Sequence, residues 1–157
     1  MGILNKNTDR NDKMIEHDTI KLLRECDAGI KMGLSSINEV LEFAGSDDLK
    51  NKLSECKAEH ETLMKEAEHL LCQYHDDGKE PNPLAKGMSW IKTNTKLVID
   101  KSDSTIADLI TDGCHMGIKS LNRFLNEFKA ADEVSKDIAK RLIKLEEKLT
   151  ADIRGYL

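Results

Sequence analysis

Five histidines and four cysteines (Cys26, Cys56, Cys72 and Cys114) are the side chains of this chain best suited to hold a metal or act as nucleophiles. One Glu-x-x-His occurs, Glu66-Ala67-Glu68-His69. In di-iron helix bundles that i, i+3 spacing aims a carboxylate and an imidazole at one metal pair. His69, however, stands nine positions past His60, about half a circle around a helix from the apolar stripe, so an exposed pair is expected. His60 is the more informative histidine. It falls in the middle of Leu49, Leu53, Cys56, His60, Leu63, Ala67, Leu70 and Tyr74, where steps of four and three alternate as on one face of a helix. An imidazole there needs a hydrogen-bond partner, because leaving one unpaired in a core costs about 1–3 kcal/mol.

The partner can be sought by aligning this stripe with the last one in the chain. An offset of 86 sets Leu63 on Leu149, Ala67 on Ile153 and Leu70 on Tyr156, and it sets His60 on Glu146. Three readings stay open: a buried His60–Glu146 hydrogen bond, a degenerate iron or zinc site built from His60, Glu146 and Glu59, or two groups that are not well buried.

The elements that carry these residues are helical. A first stripe runs through Leu22, Leu23, Cys26, Ile30, Gly33, Ile37, Val40, Leu41 and Ala44, on a helix starting between Asp12 and Thr19. Gly29 and Gly33 lie on or beside it, each costing about 1 kcal/mol of helix propensity, and predict a tight crossing by another helix. Gly45-Ser46-Asp47 reads as a turn, with Gly45 in the left-handed position and Ser46 capping the second helix. That helix ends near His75–Gly78, before Pro81 and Pro83. Residues 84–100 read as a crossover helix, and about 17 helical residues span roughly 25 Å. A third helix starts in the cap cluster Ser102-Asp103-Ser104 and carries Ile106, Ile110, Cys114, Ile118, Leu121, Leu125 and Phe128. Ala130-Ala131-Asp132 is the second tight turn, and the fourth helix carries Ile138, Leu142, Leu145, Leu149, Ile153 and Tyr156.

The two halves echo each other. Cys-x-x-Gly-Ile-Lys occurs at Cys26 and at Cys114, 88 positions apart (114 − 26), and Asn38-Glu39 recurs at the same offset as Asn126-Glu127. The expected architecture is therefore an all-α, ferritin-like four-helix bundle of two pseudo-symmetric hairpins joined by a helical crossover. Its parts are a flexible arm (1–12), hairpin one (13–77), the crossover (78–101) and hairpin two (102–157). On this frame Cys26 and Cys114 are small buried hydrophobes. Asp27 and His115 are boundary residues, and Met88 and Trp90 seal the bundle's side.

Composition narrows the function classes. Charged residues make up 34% and aromatics 4%, with a net charge of −5 and both signs interspersed. No basic stripe is present, which argues against nucleic acid as a partner. No run approaches the roughly 18 apolar residues of a membrane span. The first residues lack the layout of an export or myristoylation signal, so a cytoplasmic protein with reduced thiols is expected. A homodimer formed through one bundle face is compatible with this surface.

Gly78-x-Glu80-Pro81, Gly87-x-x-Trp90 and Lys96 in the crossover, with Glu25-Cys26-Asp27 in the first helix, resemble a bacterial family of ferritin-like bundles catalogued as a domain of unknown function. The similarity spans roughly Thr19 to Leu157 and implies a fold rather than a reaction. Where many members carry a Gly-Glu-Asp cluster at the start of helix three, this chain has Gly113-Cys114-His115. Where many carry a histidine late in helix four, it has Thr150-Ala151-Asp152-Ile153. The expected function is accordingly a non-catalytic bundle with a structural or protein-interaction role and no bound cofactor. The alternative is a divergent metal-binding protein with its degenerate site at mid-bundle.

Overall fold

The computed structural model describes the backbone of residues 2–79 and 100–157, with side chains from Lys6 onward. The expected crossover helix, with Met88 and Trp90, lies outside the described residues. Those residues form four helices and no strand: α1 (Gly2–Leu41), α2 (Asp47–Gln73), α3 (Asp103–Glu127) and α4 (Glu133–Ile153). A 3₁₀ turn, Arg154–Tyr156, follows α4.

Each of the three later helices starts on a side chain that satisfies an otherwise orphaned amide. Ser46 accepts from Leu49 N, Ser102 from Thr105 N, and Asp132 from Ser135 N. Ser46 and Ser102 cap where the sequence puts them, and Asp132, read as part of a tight turn, is the third cap. The other end of α2 closes differently. The amide of His75 donates to Cys72 O at 3.0 Å and that of Asp76 to Leu71 O at 3.0 Å, a Schellman closure with His75 at φ 55°. Gly45, expected in the left-handed region, is not there. Among the described residues Gly78 is the glycine at positive φ, 84°. Gly45 is held instead through its amide, which donates to Asp103 Oδ1 at 2.7 Å.

The arm expected at residues 1–12 is also different: helix α1 already runs from Gly2, and Lys6–Met14 are exposed along it. Nucleating a helix is the costly step, and extending one already fixed by packing is cheap even for polar residues. Burial begins at Thr19.

Hydrogen bonds between hairpins fix the helix directions. The α1–α2 turn meets the start of α3 through Asp103, which accepts from Gly45 N and Ser46 N (3.0 Å for the latter). The α3–α4 turn meets the first half of α1, where Asp18 accepts from Ala130 N at 3.0 Å and Thr19 Oγ1 from Asp132 N at 2.8 Å. Helices α1 and α4 therefore run one way, and α2 and α3 the other. The end of α2 and the start of α3 lie at opposite ends of the bundle. Helix α1 packs on all three others, and α4 packs on α2 and α3.

The core is aliphatic, with Leu22, Ile30, Ile37, Leu53, Leu71, Ile106, Leu109, Ile138, Leu142 and Ile153 fully buried. Each such side chain contributes about 1.5–3 kcal/mol by leaving water. The α2 stripe holds from Leu49 through Ala67 and then takes Leu71, with Leu70 only partly buried.

Candidate functional site

The apolar stripes of α1 and α3 are interrupted by small residues, and there the two helices leave a groove between them. Gly29, Gly33 and Ser36 line it from α1, and Gly113, Gly117 and Ser120 from α3. The groove encloses about 380 Å³, within the range of small-molecule pockets. Its remaining walls are apolar, with Met32, Ile37, Leu109, Phe124, Leu142 and Leu149 among them. Two polar side chains reach the same space from behind, His60 on α2 and Glu146 on α4.

Each of these two heads is housed by a glycine. A Cβ added at Gly33 would lie 2.7 Å from His60 Nε2, and one at Gly117 would collide with the Glu146 carboxylate. At Gly29 an added Cβ would meet only Leu142, at an ordinary 3.7 Å. Of the two glycines expected to admit a neighbouring helix, Gly33 instead admits an imidazole and Gly29 meets no polar head, while Gly117 on α3 admits the carboxyl.

Burial of both heads is nearly complete, 1% exposed for His60 and 7% for Glu146. His60 Nδ1 donates to Cys56 O at 2.8 Å, one turn back on its own helix. That bond fixes the neutral tautomer, leaving Nε2 as a bare acceptor. Burial also lowers the His60 pKa, which keeps the ring neutral. Among the described residues, His60 Nε2 and Glu146 Oε2 have no hydrogen-bond partner. The His60–Glu146 hydrogen bond that the aligned stripes suggest is therefore not made, although both residues are brought to one cavity. Without a donor or counter-charge, burial alone pushes the Glu146 carboxyl up to about 8.

Around this pair lie two thiols. Cys56 and Cys114 are buried, and the negative charge of Glu146 adds to burial in raising both. Cys56 rises to about 12. Cys26, deeper on α1, rises to about 12 from burial and from the charges of Glu25 and Asp27. Thiols so placed stay protonated and are poor nucleophiles.

Set beside family models, curated proteins and solved structures, this chain matches none. Geometry alone carries the reading.

The other flagged residues fall elsewhere. Glu59 is exposed on the outer side of α2 and does not join His60 and Glu146. Among the described residues, no three His, Cys, Asp or Glu side chains are grouped to hold a metal ion. His69 is exposed and contacts Gln73, while Glu66 pairs across to Arg141 on α4. His115 is exposed.

Asp27, expected at the boundary, is fully buried. Its Oδ2 accepts from Lys31 Nζ at 2.9 Å and from Lys79 N at 3.1 Å, beside the left-handed Gly78. Its job is to pin the chain leaving α2 against α1, with the Lys79–Glu25 pair at 2.6 Å completing that clamp. The i, i+4 spacing of Asp27 and Lys31 was the available signal. For the groove itself the signal was a polar residue on one stripe facing a glycine on another.

Proposed function

We propose that this protein is a non-catalytic binding bundle that takes a small molecule into the α1–α3 groove, with His60 and Glu146 recognising its head. One observation supports this above the rest. Two polar atoms with no partner among the described residues, on side chains more than nine-tenths buried, line the same cavity. A buried polar atom left unpaired costs about 1–3 kcal/mol, and a carboxyl more. Retaining two at one place makes sense where a ligand completes them. Perturbed titration in a cleft points the same way. The protonated state of the thiols favours binding over nucleophilic chemistry.

This reading keeps the expected ferritin-like plan, with its pseudo-symmetric hairpins and cytoplasmic setting, as the frame of the proposal. It moves association from an outer face into the groove. The metal alternative is weaker, because Glu59 does not supply a third donor.

Backbone NMR tests it. Adding a library of small amphipathic fragments, and separately Zn²⁺ and Fe²⁺, should shift the amides of Gly33, Gly117 and their neighbours for fragments in preference to the ions. Stoichiometric ion binding lost in His60→Ala would reverse the order of the two readings. No shift in the groove with any addition would remove both.

A further inference from the structure

Resting on that reading, we infer that the groove is built for a cationic ligand, a primary ammonium carried on an apolar tail. The argument is one of charge and hydrogen-bond complementarity. The groove's small-residue lining would not identify a ligand by itself, but the two unpartnered buried atoms give it a head-group site.

Both atoms want a donor. His60 Nε2 is an acceptor because Nδ1 already gives its proton to Cys56 O. Among the described residues Glu146 Oε2 accepts no hydrogen bond and no basic side chain faces the carboxyl, which burial alone perturbs.

Among the described residues, the charged groups on the neighbouring elements agree. From α2, Glu59 and Lys52 lie outside, with Lys52 on Asp48 at 2.8 Å. From α3, the groove lining carries no charge. From α4, Lys148 is turned to Asp152 at 2.6 Å, and Arg141 to Glu66 and Asp137. From α1 and the chain after α2, Glu25 and Lys79 reach the rim but neutralise each other.

A head with a negative charge would meet Glu146 with nothing to offset it. A hydroxyl head has one proton to offer two acceptors. An ammonium offers three and supplies the missing charge, and charge-assisted hydrogen bonds are about twice as strong as neutral ones. The tail then lies along Met32, Leu109 and Phe124. Met32 and the exposed Met116 at the edge of the groove are side chains that adapt their shape to different tails.

Three probes with matched tails separate the head groups: hexylamine (as its ammonium), hexan-1-ol and hexanoate, titrated calorimetrically into the full-length chain at about pH 9, where the Glu146 carboxyl is ionised and the amine still carries its proton. Hexylammonium should bind at least about tenfold more tightly than hexanol, with hexanoate weakest. In Glu146→Gln the ammonium preference over hexanol should shrink to about threefold or less, with the helical circular dichroism retained.

Hexanol or hexanoate binding as tightly as hexylammonium would overturn the cationic assignment while leaving a ligand groove in place. So would an ammonium preference that survives Glu146→Gln. Binding of none of the three probes, in wild type at millimolar concentration, would overturn the groove reading as well. Because the three-probe comparison is made on the wild type, it stands even where the variant folds poorly.

Discussion

The end of the bundle around the α1–α2 turn and the groove at its middle use similar polar residues with opposite outcomes. At the end, Asp103 receives two backbone amides, and Ser46 Oγ pairs with Tyr156 OH at 2.9 Å. Tyr156 in turn donates to Asp48 at 2.7 Å. At the middle, His60 and Glu146 each keep an atom with no partner among the described residues, although both are better buried than Ser46, Asp48, Asp103 or Tyr156. Hydrogen bonds made within the chain describe a joint. Buried polar atoms that the chain leaves unpaired do nothing for the joint. The difference marks the end as a structural joint and is the ground for proposing the groove as a recognition site.

Removing the burdened group should have the largest effect, and it should stabilise. The Glu146 carboxyl sits at about 8 in the folded protein against an ordinary 4.5. The folded state therefore holds a proton that the unfolded chain gives up, so stability is fully present below 4.5 and falls as pH rises toward 8. Relative to wild type, Glu146→Gln should gain stability with pH across that window, reaching on the order of 4–5 kcal/mol at pH 8.5 and almost nothing at pH 4.5. Urea midpoints of both proteins at the two pH values read this directly. An equal difference at both would mean that Glu146 is paired.

Next come the glycines, which test whether the groove's housings are specific. Gly33→Ala forces a methyl to 2.7 Å from the His60 imidazole, which its bond to Cys56 O holds in place, and should cost about 2 kcal/mol. Gly29→Ala meets only Leu142 at 3.7 Å and should be neutral or stabilising by up to about 1 kcal/mol, through helix propensity. Thermal melts of the two variants should move in opposite directions. Similar losses in both would make close helix packing, rather than polar heads, the reason for the glycines.

At the satisfied end, Asp103→Ala leaves the Gly45 and Ser46 amides without their acceptor and should cost about 1–2 kcal/mol, with no effect on ligand binding in the groove. Denaturant melts and hexylammonium titration of that variant check the two halves of the statement. The smallest change is expected at the surface, where Glu66→Gln weakens the exposed pair with Arg141 and should shift stability by less than about 0.5 kcal/mol, read from the same melts.

The helical layout was readable because its signals are local. Serine and aspartate caps, stripes in steps of three and four, and two short turns each follow from neighbouring residues, and Ser46, Ser102 and Asp132 cap as their types predict. The paired approach of His60 and Glu146 also followed from aligning two stripes. Their failure to bond did not, because stripe alignment gives height along the bundle but not which way a head turns. Gly33 and Gly117 turn those heads toward α1 and α3, a relation between helices that periodicity within one helix does not contain. Asp27 was misjudged for the same reason, since its partner Lys79 is 52 positions away.

Titrating the Glu146 carboxyl by its ¹³C shift, with and without hexylammonium, tests the central claim most directly. The empty protein should show a midpoint near 8, and saturating hexylammonium should move it down by more than one unit as the carboxylate gains its counter-charge. A midpoint in the ordinary range near 4.5 in the empty protein, unmoved by the amine, would show a carboxylate already satisfied by the chain and contradict the account.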